Sequence, residues 1–595
     1  MASQVEISPA SAEGKGSPSY RHFEYGEDGT TVAIDQPQPI VQDLQPPKGY
    51  YYSPLFLGTF LAAGLGLAAG NGAFGLAAPS LGLINADIGP SASISWVSIV
   101  YILTFAIGST LVGRVTDIFG RRWFFVGGSV IAIVGTVVCA RAQNVPTLIG
   151  GMTLIGLATA SQASYAFVVG ELVPIKYRFL AGGGVWFIGL PTNVFAGKTS
   201  VSIANNPNLG WRFIFYVLLI MNAISFLCWF FCYHPPTFQM LHHGESSKKF
   251  VMGFDYIGFL LFTAGIILLI LGLSWGGSIH PWKSAHVIAT MVIGGLLIIA
   301  FFIYESFWPS DEPYLPLKLV QNVHYIGILI IMTVAAMVFY GVSILWPAMI
   351  TVVWPSSVDL YGWKVCAASG VVGLGGIVGG VVASFIRRLK IFVLALMIIG
   401  TAFTGAVAVV HQDNQSLTVS LMVIGAFALG MIEGIAVTMS GIAIVDQNDI
   451  GAAVGFATSV RTLGGAIATT IYTTVLSNRL SSTIPALVPP AAIGAGLPPT
   501  SLLALLEVLQ GLAPPSSVPG LTDTILAAAT AAYRTANIQA YRSCFYTTIA
   551  FGGLGIVGAC FVPNRSKKTD KLVAKELHHK RDEKVLEAGE KIARV

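Results

Sequence analysis

The chain has 595 residues, of which 54% are hydrophobic and only 10% charged, and its formal net charge is +5. A soluble domain carries about 25% charged residues, whereas apolar runs of the ~20 residues that cross a bilayer core recur here almost end to end. This excludes an ordinary soluble fold and predicts an all-α polytopic membrane protein.

Residues 1–50 are polar, rich in Ser, Pro and Gly, and mixed in charge. They read as a disordered cytosolic tail, and without an early apolar core they are not a signal peptide. Fourteen helices are expected after it. The first seven lie near 55–79, 93–113, 122–140, 146–170, 179–203, 211–233 and 254–273. The second seven lie near 285–306, 323–347, 362–386, 389–410, 416–444, 453–477 and 541–562. Lys and Arg concentrate in the loops after even-numbered helices, for example Arg114, Arg121, Arg122, Lys176, Arg178, Lys248, Lys249, Arg387 and Arg388. The excess of cations on the cytosolic side of membrane proteins then places both termini in the cytosol.

Between the second and third runs stands GRVTDIFGRR, one Asp and three Arg within ten residues, 113–122. Positional bias accounts for Arg121 and Arg122 but not for Asp117, or for glycines at 113 and 120. Gly113 permits close helix approach and Gly120 a tight turn. Asp117 is placed to bridge arginines and helix N-termini. The pattern G-x-x-x-D-x-x-G-R-R resembles the signature between helices 2 and 3 of the major facilitator superfamily. The resemblance implies a cytosolic gate latch of Gly113, Arg114, Asp117, Gly120, Arg121 and Arg122. Glu171 and Arg178, which bracket ELVPIKYR, are expected to cap and latch the same face. A degraded second copy, GGVVASFIRRLK, carries Gly380, Arg387 and Arg388, with Ser384 where the acid would be.

Superfamily cores have twelve helices, so fourteen implies two inserted between the halves. The chain is similar to the 14-span drug:proton antiporters and closer to the fungal trichothecene efflux pump family. This rests on LINADIGPSASISW (83–96), GRVTDIFGRRWFF (113–125), RAQNVPTLIGG (141–151) and GELVPIKYR (170–178). The implied layout is a six-helix bundle over 51–233, a cytosolic loop over 234–253 and two linker helices over 254–306. A second bundle spans 307–562 with a long extracytosolic loop at 478–540, and a charged cytosolic tail covers 563–595. Within that loop, PPTSLLALLEVLQG reads as a short capped amphipathic helix. The chain departs from antiporter practice at three places. Asn71 stands where helix 1 commonly carries an acid, Met152 where helix 4 carries an Arg, and Leu190 inside the Gly-Pro step of helix 5.

Ionisable residues at membrane depth are functional candidates by default. Glu433, about 20 Å of helix from Asp446, and Arg461 on the next helix are the clearest pair. They are either a permanent buried ion pair or a proton-coupling pair in which Arg461 tunes the acid; the residues alone leave both open. Lys198 is expected to snorkel at the outer end of helix 5. Asn71, Gln162, Tyr165, Asn193, Tyr340, Ser343 and Trp346 are candidates to line a cavity for an amphiphilic organic molecule, against the commoner reading that each is interhelical glue.

The six cysteines read as packing residues, and no spacing suggests a metal or another cofactor. Without a P-loop or nucleophile elbow, no enzyme is expected. Asn414 opens a formal glycosylation sequon so near a helix end that use is not expected. The partners are a small organic substrate, the proton gradient and the lipid bilayer, with no nucleic acid, and the fold's default is a monomer. The expected function is export of a hydrophobic secondary metabolite, toxin or drug by proton antiport and alternating access, at the plasma membrane or alternatively the vacuolar membrane. The alternatives are proton-coupled uptake of iron–siderophore complexes and a transport-dead sensor or scaffold.

Overall fold

A computed structural model describes residues 21–25, 31–35, 49–89, 91–119, 121–235, 253, 255–276, 280–307, 317–442, 450–510 and 513–564. Within the segment read as a disordered tail, strands β1 (Arg21–Tyr25) and β2 (Thr31–Asp35) pair antiparallel, Arg21 opposite Asp35. The loop 234–253, apart from 234–235 and 253, and the tail from 565 onward lie outside the described residues, as does Asp446.

Among the described residues the remaining named elements are helices. The first group comprises α1 (Pro54–Ala77), α2 (Leu81–Ile88), α3 (Trp96–Phe119), α4 (Arg121–Ala140), α5 (Val145–Ala163), α6 (Tyr165–Leu172), α7 (Arg178–Ile188), α8 (Leu190–Asn193), α9 (Ala196–Ala204) and α10 (Arg212–Cys232). Next come α11 (Tyr256–Trp275) and α12 (Ala285–Phe307). The second group is α13 (Leu317–Gln321), α14 (Val323–Val353), α15 (Val358–Cys366), α16 (Ser369–Phe385), α17 (Leu389–Ala406), α18 (Gln415–Ile442), α19 (Ile450–Gly494), α20 (Leu502–Leu509) and α21 (Asp523–Ala559). Among the described residues, ten helices or helix pairs are long and apolar enough to cross a membrane.

Local chemistry sets the boundaries. Ser53 caps α1 by accepting from Phe56 N at 3.2 Å with Pro54 at N1, and Asn144 caps α5 by accepting from Thr147 N at 2.9 Å. Side-chain hydroxyls inside the apolar runs donate back to their own helix, as Ser109 does to Phe105 O and Thr116 to Val112 O, both at 2.8 Å. Such back-bonding satisfies these hydroxyl donors within an apolar surrounding. Pro191 ends the predicted 179–203 helix early and divides it into α7, α8 and α9. The predicted 146–170 helix likewise divides at Ser164.

The predicted outer loop at 478–540 is a larger departure. α19 continues to Gly494 through Pro485, Pro489 and Pro490, and α21 already starts at Asp523. These extensions pack on each other, with Thr483 Oγ1 donating to Ala536 O at 3.2 Å. Tertiary packing thus overrides the poor helix propensity of proline. α20 forms where the amphipathic pattern placed it. Ser501 does not cap it; its hydroxyl donates to Pro519 O at 2.9 Å. The apolar face of α20 joins Ala492, Leu497, Val518, Ile525 and Ala529 in a satellite core.

Helices α1, α3, α4, α5, α7 and α10 pack among themselves, and α14, α16, α17, α18, α19 and α21 do the same. A Phe125–Trp229 stack at 4.4 Å joins α4 to α10. The groups meet along two seams: α3 against α19, and α7 and α9 against α16 and α15. One end of the bundle carries the 113–122 turn and is called the arginine-rich end here; the other is the far end.

Candidate functional site

Glycine sets the second seam. A Cβ on Gly380 of α16 would sit 2.7 Å from Phe179 O and 2.8 Å from Gly183 N on α7, so the two backbones touch across the groups. Only glycine at these positions allows that approach. On its other face α16 meets α18, where a Cβ on Gly434 would lie 2.5 Å from Gly376 O. Small residues thus hold α18, and with it Glu433, at a fixed depth.

Glu433 is 3% exposed and Arg461 9% exposed. They form an ion pair in which Arg461 donates from Nε and Nη2 to Glu433 Oε1, and Glu433 Oε2 is buried with no hydrogen-bond partner. The Arg461 guanidinium lies 5.8 Å above the Tyr340 ring, and Phe74 packs against both Tyr340 and Tyr101. The pair borders a small cavity of about 50 Å³ lined also by Asn71, Asn193, Trp186 and Ser343. Two further buried atoms there, Asn193 Nδ2 and Ser343 Oγ, make no hydrogen bond. Side chains from both helix groups therefore converge on one unsatisfied carboxylate oxygen.

Ala78, Pro79 and Ser343 also line a cavity of about 910 Å³ that lies beyond the pair toward the far end. One wall is a row of hydroxyls and amides on α19, Thr469, Thr470, Thr473, Thr474, Ser477 and Asn478. The rest of the lining mixes apolar side chains, among them Ile99, Ile102, Ile344 and Ile350, with Ser98, Ser343 and Thr351. Among the described residues lining it, none is Asp, Glu, Lys, Arg or His. Such a lining suits a neutral molecule that carries both oxygens and hydrocarbon, since burying an unpaired ion there would cost several kcal/mol.

The other sequence candidates divide. Tyr165 stands behind the small cavity's Trp186, accepting a hydrogen bond from its Nε1 at 2.8 Å. Gln162 does not line either cavity: it donates to Asn222 Oδ1 at 2.6 Å and is interhelical glue. Trp346 is also packing, fully buried with Nε1 donating to Lys364 O at 2.7 Å. Lys198 does not snorkel free; it forms an ion pair with Asp359 of α15, across the seam. The amide of Asn414 donates to Val409 O at 2.8 Å while its carbonyl accepts from His411 N at 2.7 Å. That capping role occupies the nitrogen a glycan would use.

At the arginine-rich end, the Arg121 guanidinium lies 4.4 Å over the Phe167 ring, and Arg122 donates to Phe230 O at 2.7 Å. Arg178 is buried, its Nε donating to Val173 O at 3.0 Å. Gly120 and the side chains of Gly113, Arg114, Asp117 and Glu171 lie outside the described residues. Arg387 and Arg388 are exposed at the turn between α16 and α17. Sequence reasoning missed the α19 hydroxyl row, although its Thr and Ser at spacings of three and four share a helix face. It also missed Asp359, for which no local signal exists.

A family model described as Fungal trichothecene efflux pump (TRI12) matches residues 40–592. The Trichothecene efflux pump TRI12 of Trichoderma arundinaceum is 29% identical over 532 residues, covering 86% of this chain and 87% of that protein. The pump of the same name from Fusarium sporotrichioides is 28% identical with the same coverage. An MFS-type transporter of Penicillium rubens, prx5, is 28% identical over 74% of this chain and 81% of its own length. Among solved structures, the major facilitator proton:xylose symporter XylE aligns with a TM-score of 0.52 at 15% identity, over 88% of this chain and 99% of that one. The human organic anion transporter MFSD10 aligns with 0.51 at 11% identity, over 87% and 100%. At such identities these two speak for the fold alone, which is that of the major facilitator superfamily.

Proposed function

The chain belongs to the fungal trichothecene efflux pump family, and on that premise we propose that it exports a neutral, oxygen-bearing lipophilic metabolite of the trichothecene kind in exchange for protons. The observation that carries this reading is the lining of the large cavity, a row of hydroxyls on α19 together with apolar side chains and no charged side chain among the described residues. A trichothecene-like cargo would place its oxygens on the α19 row and its ring carbons on the isoleucines.

In this reading the chain crosses the membrane fourteen times, as two six-helix bundles with α11 and α12 inserted between them. The arginine-rich end and both termini face the cytosol, following the Lys and Arg bias. The 113–122 turn, with Glu171 and Arg178, latches that face, and the far-end cavity is the exit side. Glu433 takes up and releases the coupling proton, supported by its unpartnered oxygen beside a cavity that both helix groups line. Arg461 holds the acid in position and compensates its charge when it is ionised. The protein works as a monomer in the plasma membrane. Iron–siderophore uptake is not favoured: the relatives carry efflux names, and the described residues lining the cavity include no cation for an anionic chelate.

The test is accumulation of labelled trichothecene in a yeast host lacking its own pumps. Expression of the protein should lower accumulation, and a protonophore should restore it. Unchanged toxin levels together with increased uptake of a labelled iron–siderophore complex would overturn the direction and the cargo.

A further inference from the structure

The hairpin of the two inserted helices touches both helix groups through α11. α11 packs on α3 of the first and on α19 of the second, so it lies along the seam where the groups face each other. Nearer the arginine-rich end α3 and α19 meet, Ser459 Oγ donating to Ala106 O at 3.5 Å. There α11 is anchored as well, Phe262 lying 5.8 Å from Phe456 of α19 and 5.0 Å from Phe301 of α12. Toward the far end residues of α3 and α19 both line the large cavity, and so do Ile270 and Leu273 of α11, Gly276 after it and Trp282 before α12.

The pair is built as a stiff unit with two different faces. A Cβ on Gly294 of α12 would sit 2.7 Å from Leu269 N and 2.9 Å from Gly265 O, so the α11 and α12 backbones are in direct contact. The indole of Trp282 covers Gly276. The outward face of α12 is bare hydrocarbon, with Ile288, Val292 and Leu296 exposed by 50%, 53% and 58%. A spacer surrounded by lipid would show this pattern on both helices. Instead α11 contributes its far-end side chains to the same cavity that the hydroxyl row of α19 lines.

We infer that the far-end half of the α11–α12 hairpin is a wall of the cargo site, supplying an apolar subsite at Leu273 and Trp282 for the hydrocarbon part of a neutral, oxygenated lipophile. The inference rests on the export reading for the identity of the cargo, but not for the existence of the wall. Because the hairpin touches both groups at the seam, its position also sets how wide the cavity is between α3 and α19, and so the size of cargo admitted.

The test introduces a cysteine at Leu273, Thr473 or Ile293, the last 49% exposed on α12, in the full chain with exposed Cys560 and half-buried Cys228 and Cys232 replaced by Ser. The variants are probed in intact cells with a charged, membrane-impermeant thiol reagent. The wall predicts that Leu273→Cys and Thr473→Cys are labelled, that Ile293→Cys is not, and that added trichothecene slows labelling at both reactive positions. Labelling at Thr473→Cys without labelling at Leu273→Cys overturns the wall and leaves the export reading standing. Protection at Thr473→Cys alone overturns the cargo contact at the hairpin. Protection at neither position overturns that contact together with trichothecene as the cargo. As a functional arm, Leu273→Trp should lower export of a bulky trichothecene about tenfold at unchanged surface abundance, while Ile293→Trp leaves it unchanged. Equal effects of the two would reduce the hairpin to a structural spacer.

Discussion

Lys198 of α9 and Asp359 of α15 stand 161 residues apart in sequence and form an ion pair across the seam between the two helix groups at the far end. Their side chains are 21% and 74% exposed, so solvent screens the attraction and the pair contributes only ~0–1 kcal/mol. A contact that weak adds little to folding, yet ~1 kcal/mol shifts an equilibrium between two transporter conformations about fivefold. Lys198→Ala should therefore leave thermal stability nearly unchanged and alter transport rate. The swap Lys198→Asp with Asp359→Lys should restore the wild-type rate. A swap that behaves no better than the single substitution would show that the pair does not act between the groups.

Glu433 and Arg461 sit in the opposite energetic regime. Both are buried, and removing one partner of such a pair costs about 3–5 kcal/mol because the other charge remains without compensation. Arg461→Met should be strongly destabilising, whereas Glu433→Gln with Arg461→Met should recover much of the lost stability by removing both charges. Neither should transport against a gradient. Size-exclusion thermostability with and without the second substitution checks the first expectation. A double variant as unstable as Arg461→Met would refute it.

Gly380 offers a third test, because its side-chain position is filled by the backbone of α7. Gly380→Val should wedge α16 away from α7 near the arginine-rich end. The expected result is normal membrane insertion, loss of export, and new reactivity of a cysteine placed at buried Phe179 toward thiol reagents applied from the cytosolic side. Retained export with Phe179→Cys unreactive would mean that the seam accommodates the side chain without opening.

The α19 hydroxyl row should set preference among cargos rather than stability. Thr473 donates to Thr469 O at 2.9 Å, so its oxygen remains able to accept from a cargo hydroxyl. A hydrogen bond lost there is worth ~0.5–1.5 kcal/mol. Thr473→Val should raise the half-saturating concentration two- to tenfold for hydroxylated trichothecenes and leave fully acetylated ones nearly unaffected. A uniform change for both would place the residue in packing.

What could be read in the sequence followed from local rules. Glu433 and Arg461 are conspicuous because ionisable groups interrupt long apolar runs, and their meeting needs only neighbouring helices. The break near Pro191 follows from a local rule as well, yet the expected 179–203 helix ran through it. The cavity was not legible, since its walls come from α3, α11, α14 and α19, and only the packed fold assembles them. Lys198 looked free because nothing near it in sequence bears the opposite charge. Gln162 looked like a cavity residue because a polar residue on a buried face is either ligand or glue, and only the fold supplied Asn222 as its partner. Residues 478–540 looked like a loop because prolines punctuate an Ala-rich stretch there, while α19 and α21 extend by packing against each other.

The central claim is that a proton on Glu433 is exchanged for cargo. Purified protein in liposomes, with labelled trichothecene outside and an imposed pH gradient, tests it most directly. Wild type should concentrate toxin into vesicles that are acidic inside, and also exchange labelled for unlabelled toxin without a gradient. Glu433→Gln should keep the exchange and lose the gradient-driven accumulation. If Glu433→Gln still concentrates toxin as wild type does, the carboxylate is a structural ion pair and the coupling proton travels elsewhere.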